Sequence, residues 1–246
     1  MSKIDLSKYN IRTDLIIEDN ELVHDEKNID GITITMTKKD GNYVTLSFDD
    51  ITDNDNREIV LKHLTEIIKD ILKLNNIKED ASSLIIGLGN ILSTPDSLGV
   101  KVLDDIIVTG HLYQLGNVSE GMRCVYSFTP GVMANTGIES AKIKEIKPDF
   151  VIAIDALASR NLERINKTIQ ITDTGIHPGS GIGNNRVEIS NKTMGIPVIA
   201  IGVPTVVMSS VIVYDTLDYL IKHISYIKEF DGINKLSFKK NNYKNK

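Results

Sequence analysis

Two short runs alternate β-branched and polar residues, Gly31–Thr37 and Tyr43–Phe48, on either side of Asp40-Gly41-Asn42. Alternation around such a turn predicts a small β-hairpin near the N-terminus. Asn56–Leu74 places Ile59, Val60, His63, Leu64, Ile67, Ile68, Ile71 and Leu72 near helical spacing, which predicts an amphipathic helix. Leu84–Leu88 reads as a buried strand running into a tight Gly-Leu-Gly-Asn loop, and Leu98–Leu115 returns to helical periodicity, clearest in its first half. Phe150–Ile154 is an apolar strand ending at Asp155. Thr168–Thr172 is a shorter strand, Ile196–Val203 a long one, and Ser209–Ile224 a closing amphipathic helix. Apolar strands alternating with helices predict an α/β protein, a three-layer αβα arrangement of the phosphorylase/hydrolase-like kind with a mostly parallel central sheet, the hairpin being an addition to it. Residues 1–29 are polar, with little periodicity, and read as an extended or loosely attached arm; residues 231–246 read as a Lys- and Asn-rich flexible tail.

The length of 246 residues suits one large domain, and 41% apolar residues are enough for a substantial core. A net charge of −5 argues against a dedicated nucleic-acid binder, which needs a basic face to displace counterions from phosphate. The single cysteine, Cys124, excludes a disulfide within the chain and fits a reducing cytosol. The first twenty residues carry no signal-like apolar run, and the apolar stretch Ile196–Val207 is too short and too interrupted to span a bilayer, so a cytoplasmic protein is expected.

In α/β sheets, ligands sit beyond the carboxyl ends of the strands. Asp96 follows the loop after Leu88, and Asp155 follows the run Phe150–Ile154. Each reads either as the cap of a following helix or as one member of a carboxylate pair that activates water and protonates a leaving amine. The stretch Asp173–Asn184 contains Gly175, Gly179, Gly181 and Gly183; its backbone N–H groups can gather around a phosphate, a carboxylate or a peptide, or it can simply be a tight loop. It matches neither a phosphate loop nor a dinucleotide fingerprint. His177 reads as a base, a ligand or a loop brace. No His-Glu-x-x-His or Cys-x-x-Cys spacing occurs, so no metal and no cofactor is expected, although Asp96, Asp155 and His177 leave a metal site assembled from distant loops open. Cys124 reads as a core residue, and no Gly-x-Ser-x-Gly elbow is present.

The run from Pro148 to Val207 closely resembles the germination proteases of spore-forming bacteria. So do Gly87–Asn90 with Thr94–Gly99, Pro130–Met133 with Thr136–Glu139, and Tyr9–Leu15. The resemblance implies an endopeptidase of small acid-soluble spore proteins in the spore core, an α/β fold shared with hydrogenase-maturation proteases, and a homotetramer. It also implies a zymogen that trims itself. The family's proposed catalytic aspartates fall on Asp96 and Asp155, and its self-cleavage point between Asp14 and Leu15. Residues 1–14 are then a propeptide and 15–230 the peptidase domain. Gly89, Asn90, His177, Gly179, Ser180 and Gly181 are expected to hold substrate.

Four features depart from the family's pattern. The family's further C-terminal portion does not follow the closing helix, the link from Glu139 to Pro148 is shorter, Gly110 stands where Arg is usual, and Met208 where Asp is usual. These motivate a rival expectation, a relative that binds spore protein without cutting it; a metal-dependent maturation-type peptidase is the third.

Overall fold

The computed structural model describes residues 13–116, 118–119, 121–131, 145–177 and 188–226. Eight strands form one sheet: β1 His24–Ile29, β2 Ile32–Lys38, β3 Asn42–Ser47, β4 Ser83–Leu88, β5 Val125–Gly131, β6 Phe150–Ser159, β7 Thr168–Thr172 and β8 Val198–Val207. Their spatial order is β1-β2-β3-β7-β8-β6-β4-β5. The β8-β6-β4-β5 portion is parallel, as the apolar runs predict, whereas β7, β3, β2 and β1 continue it with antiparallel pairings. The predicted hairpin, β2 and β3, is therefore continuous with the main sheet.

The two faces bury different cores. Ile32, Leu46, Ile171 and Ile199 pack on one face beneath α1 (Asn54–Leu74), which contributes Val60 and Ile71. The Asp53 carboxylate starts α1 by accepting from the amide of Asn56 at 2.9 Å. Each of these apolar side chains, taken fully out of water, contributes about 1.5–3 kcal/mol. On the opposite face, Leu84, Ile86, Val151, Ala153 and Val198 pack with Ile189 and, at the edge, Ile146, Met194 and Ile196. The short helix α4 (Asn191–Met194) belongs to this second covering. The last helix, α5 (Ser209–Tyr226), falls in a separate compact unit, Ser209–Lys246.

Three expectations need correction. The arm is neither loose nor unstructured over its described part: β1 pairs along its length with β2, and Leu15, Ile16 and Glu18 are buried. The Leu98–Leu115 periodicity resolves into α2 (Leu98–Val102), a single 3-10 turn (Leu103–Asp105) and α3 (Gly110–Leu115), because the chain leaves helical geometry at Ile106. Strand β6 does not end at Asp155 but runs four residues further, so no helix begins at Ala156 for Asp155 to cap. The stretch 231–246 lies outside the described residues.

Candidate functional site

Strand β6 carries Asp155 on the same face as Val151 and Ala153, since side chains alternate along a strand. It is paired with Gly202 of β8, and Gly202 is paired in turn with Gln170 of β7. Asp155 and Gln170 thus stand on one face, two strands apart, with a glycine between them. A side chain at Gly202 would run into Leu157 at 2.5 Å, so the glycine makes room for that leucine. Asp155 is 5% exposed, and its Oδ1 accepts from the amide of Ala156 at 2.8 Å. A buried carboxylate needs such donors.

Asp96 lies at the end of a 3-10 turn, Thr94–Asp96, beyond the carboxyl end of β4. Gly89, at φ +114°, brings the chain so close that a Cβ there would sit 1.9 Å from the Asp96 carbonyl oxygen. The amide of Asn90 donates to that same oxygen at 2.9 Å. Gly89 and Asn90 therefore shape the loop that carries Asp96. The turn packs against β6 and β8, and the Thr205 hydroxyl donates to the Pro95 carbonyl at 2.5 Å. The Asp96 side chain is half-buried and caps no helix: α2 starts at Ser97 without a side-chain cap. Asp96 thus lies at the rim beyond the carboxyl end of β4, and Asp155 lies within β6 at the level where β4 ends.

A cleft of about 420 Å³ is lined by residues of β7 and β8 together with Asp14, Tyr43, Leu157, His177 and Glu188. Neither Asp96 nor Asp155 is among its lining residues. His177 is largely exposed and lies 3.5 Å from Glu188. Gly175 sits at φ +92° with no room for a Cβ, which would lie 2.1 Å from the Ile189 carbonyl oxygen; Ile176 and Ile189 exchange backbone bonds of 2.8 and 2.9 Å. Gly179, Ser180 and Gly181 lie outside the described residues. Asp173, read from sequence as the start of a ligand loop, braces the hairpin instead: its carboxylate accepts from the backbone and side chain of Asn42 at 2.8 and 2.6 Å. Among the described residues no three His, Cys, Asp or Glu side chains gather closely enough to hold a metal ion, so Asp96, Asp155 and His177 do not meet as a ligand set. Nor, among them, is any helix long and apolar enough to cross a membrane.

The sequence reading missed what fills the rim. The chain from Thr13 to Glu18 is docked there. Asp14 donates its amide to the Ala158 carbonyl and accepts the Ala158 amide on its carboxylate, both at 2.9 Å. The Gln170 carboxamide holds the backbone on both sides of Leu15. Leu15 is 2% exposed, and the Glu18 carboxylate is buried against Ser159, Arg160, Asn161 and Arg164. In sequence Gln170 is one of three polar residues alternating with isoleucines in Thr168–Thr172, which gives no sign that it is buried. For Glu18 there was none either, because its partners lie more than 140 residues away.

Two departures from the family's pattern also find a place. Gly110 opens α3, where a Cβ would meet the Tyr126 ring at 2.3 Å, so Tyr126 occupies the space a side chain would need. Met208 is partly exposed at the end of β8.

The germination protease family model matches residues 12–245. The germination protease of Bacillus subtilis (strain 168) is 46% identical over 90% of this chain and 70% of its own length. That of Priestia megaterium is 44% identical over 90% of this chain and 70% of its own length. A solved NiFe hydrogenase maturation protease from Thermococcus kodakarensis covers 65% of this chain and 97% of its own at 16% identity and a TM-score of 0.37, a likeness too slight to bear on the fold. With the family model matched across nearly its whole length and close to half its residues shared with such relatives, the chain belongs to the germination protease family of peptidases.

Proposed function

We propose that this chain is an aspartate-dependent endopeptidase, made as a self-processing zymogen, that begins the degradation of small acid-soluble spore proteins in the spore core. Asp155 and Asp96 are the catalytic pair. One takes a proton from the attacking water and the other gives one to the leaving nitrogen. The observation that carries this reading is the docking of the residues expected to flank the processed bond: Asp14 pairs with Ala158, three positions beyond Asp155 on the same strand, and Leu15 next to it is buried. A segment to be cut must lie extended, and Leu15 has φ −88° and ψ 121°. An acidic residue followed by a buried apolar one then describes both the zymogen's own bond and the bonds cut in substrate.

The assembly belongs to the same proposal: a homotetramer acting on a protein substrate, with no direct role for nucleic acid or membrane. Val213, Leu217 and Leu220 of α5 are apolar and exposed, the kind of surface that an oligomer buries.

A second reading, binding of spore protein without cleavage, is favoured by the absence of both aspartates from the lining of the cleft. Incubation of the purified protein with a small acid-soluble spore protein separates the two. The proteolytic reading predicts cleavage on the carboxyl side of acidic residues, lost in both Asp96→Asn and Asp155→Asn. Undiminished cleavage by either variant removes that aspartate from the mechanism, and no cleavage by the unaltered protein leaves the binding reading.

A further inference from the structure

The Gln170 side chain is 6% exposed, and both ends of its carboxamide are committed to one short piece of chain. Its Nε2 donates to the carbonyl oxygen of Asp14 at 3.0 Å, and its Oε1 accepts from the amide of Ile16 at 2.7 Å. The orientation of the carboxamide follows from its partners, since a backbone N–H can only meet the oxygen and a carbonyl only the nitrogen. The two bonds straddle the Asp14–Leu15 peptide bond: one reaches the carbonyl of that bond, the other the next amide along.

The remaining contacts hold the chain on both sides of that bond, extended at Leu15 and then entering a single 3-10 turn, Ile16–Glu18. The carboxylate before the bond is met by the Ala158 amide at 2.9 Å, and the apolar side chain after it is buried. Glu18, three residues on, is held by Ser159 and by the amides of Arg160 and Asn161. Release of residues 1–14 would leave Leu15–Glu18 anchored by these contacts.

From this geometry we infer that Gln170 is the side-chain donor to the carbonyl oxygen of the bond that is cut, and that it fixes the register of the substrate backbone across that bond. The inference rests on the proteolytic reading above and adds a residue to it. Water adds to the Asp14 carbonyl carbon and loses a proton. The carbonyl π pair moves onto the oxygen that accepts from Gln170 Nε2. As that pair returns, the C–N bond to Leu15 breaks and the nitrogen takes a proton, leaving a carboxyl group on Asp14 and an α-amine on Leu15. A hydrogen bond to an oxygen that gains negative charge strengthens along this path, so its loss slows chemistry more than binding. Gln170 faces the same side of the sheet as Asp155, across Gly202. Donor and carboxylate thus stand on one face of the sheet.

The test follows self-processing of the full chain, read by mass spectrometry as the rate at which a product beginning at Leu15 forms. Gln170→Leu removes both bonds and is expected to slow processing by about 10²–10³-fold, the usual effect of losing one such donor. Gln170→Glu keeps the shape and the acceptor but loses the donor at neutral pH. Its protonated form regains an O–H, so its rate relative to the unaltered chain should recover at least about tenfold as pH falls through the ordinary carboxyl range near 4.3. Gln170→Glu still decides the matter if Gln170→Leu fails to fold. Processing by Gln170→Leu within about threefold of the unaltered chain, or a Gln170→Glu ratio flat with pH, overturns the inference while leaving the proteolytic reading intact. An unaltered chain that never yields Leu15 overturns both. Processing that survives Asp155→Asn but collapses in Gln170→Leu removes the aspartate and keeps the glutamine.

Discussion

Replacing Glu18 tests whether the docked N-terminal segment is part of the folded body. Its carboxylate accepts from the Ser159 hydroxyl at 2.7 Å, the Arg160 amide at 2.6 Å and the Asn161 amide at 3.1 Å, and lies 3.4 Å from Arg164 Nε. The residue is 8% exposed, so water cannot readily replace these contacts. Hydrogen bonds to a charged group contribute about 1.5–3 kcal/mol net each, and a buried donor left without a partner costs about 1–3 kcal/mol. These terms do not add, because the donors share neighbours: the Ser159 hydroxyl also reaches the Asn161 carbonyl at 2.8 Å. A loss of about 3–5 kcal/mol is expected for Glu18→Ala, against about 1–2 kcal/mol for the isosteric Glu18→Gln, which keeps one acceptor. At about 2–4 °C per kcal/mol for a chain of this size, Glu18→Ala should unfold on the order of 10 °C earlier. Urea and thermal denaturation followed by circular dichroism supply the comparison. If Glu18→Ala unfolds within about 1 kcal/mol of the unaltered protein, the segment is a passive passenger and the reasoning from its burial fails.

Two further predictions concern the frame of the site. Asp149 accepts from the Ser82 amide at 2.6 Å and the Ser82 hydroxyl at 2.7 Å, joining the starts of β4 and β6. The hydroxyl first, then the amide, holds its carboxyl below the ordinary value of 3.8. A depressed folded-state value contributes stability that is present above 3.8 and lost as pH falls through the lower, folded value. Urea midpoints should therefore drop more steeply on acidification below pH about 4 in the unaltered protein than in Asp149→Asn; parallel profiles would contradict this. Gly99 packs so tightly that a Cβ would lie 2.3 Å from the Ile154 carbonyl oxygen and 2.4 Å from that of Leu88, so Gly99→Ala should destabilise by about 3 kcal/mol and displace the Asp96 loop. A change under about 1 kcal/mol would show that the loop has room to move.

α1 and the hairpin were legible because each buries one face, which leaves a period in the sequence, and the parallel strands because burial of both faces leaves a continuous apolar run. β1 was not: His24–Ile29 is an edge strand with mostly exposed side chains, held by backbone bonds to β2, and such bonds leave no pattern. β6 was cut short at Asp155 because a carboxylate in an apolar run reads as an ending; in the fold it is a buried member of a continuing strand. The rim position of Asp96 followed from where α/β sheets carry ligands, whereas Asp155 lies within its strand. Gln170 and Ala158 could not be found in that way. Their role depends on a segment more than 140 residues distant lying across them, and in Ala158 the working group is the backbone itself.

The central claim, that Asp155 belongs to the machinery cutting the bond docked beside it, is tested most directly by the intact mass of the full chain held under processing conditions. The account predicts conversion of the unaltered protein to a species beginning at Leu15 and full retention of residues 1–14 in Asp155→Asn, with the variant equally well folded. Conversion of Asp155→Asn at the unaltered rate would contradict it.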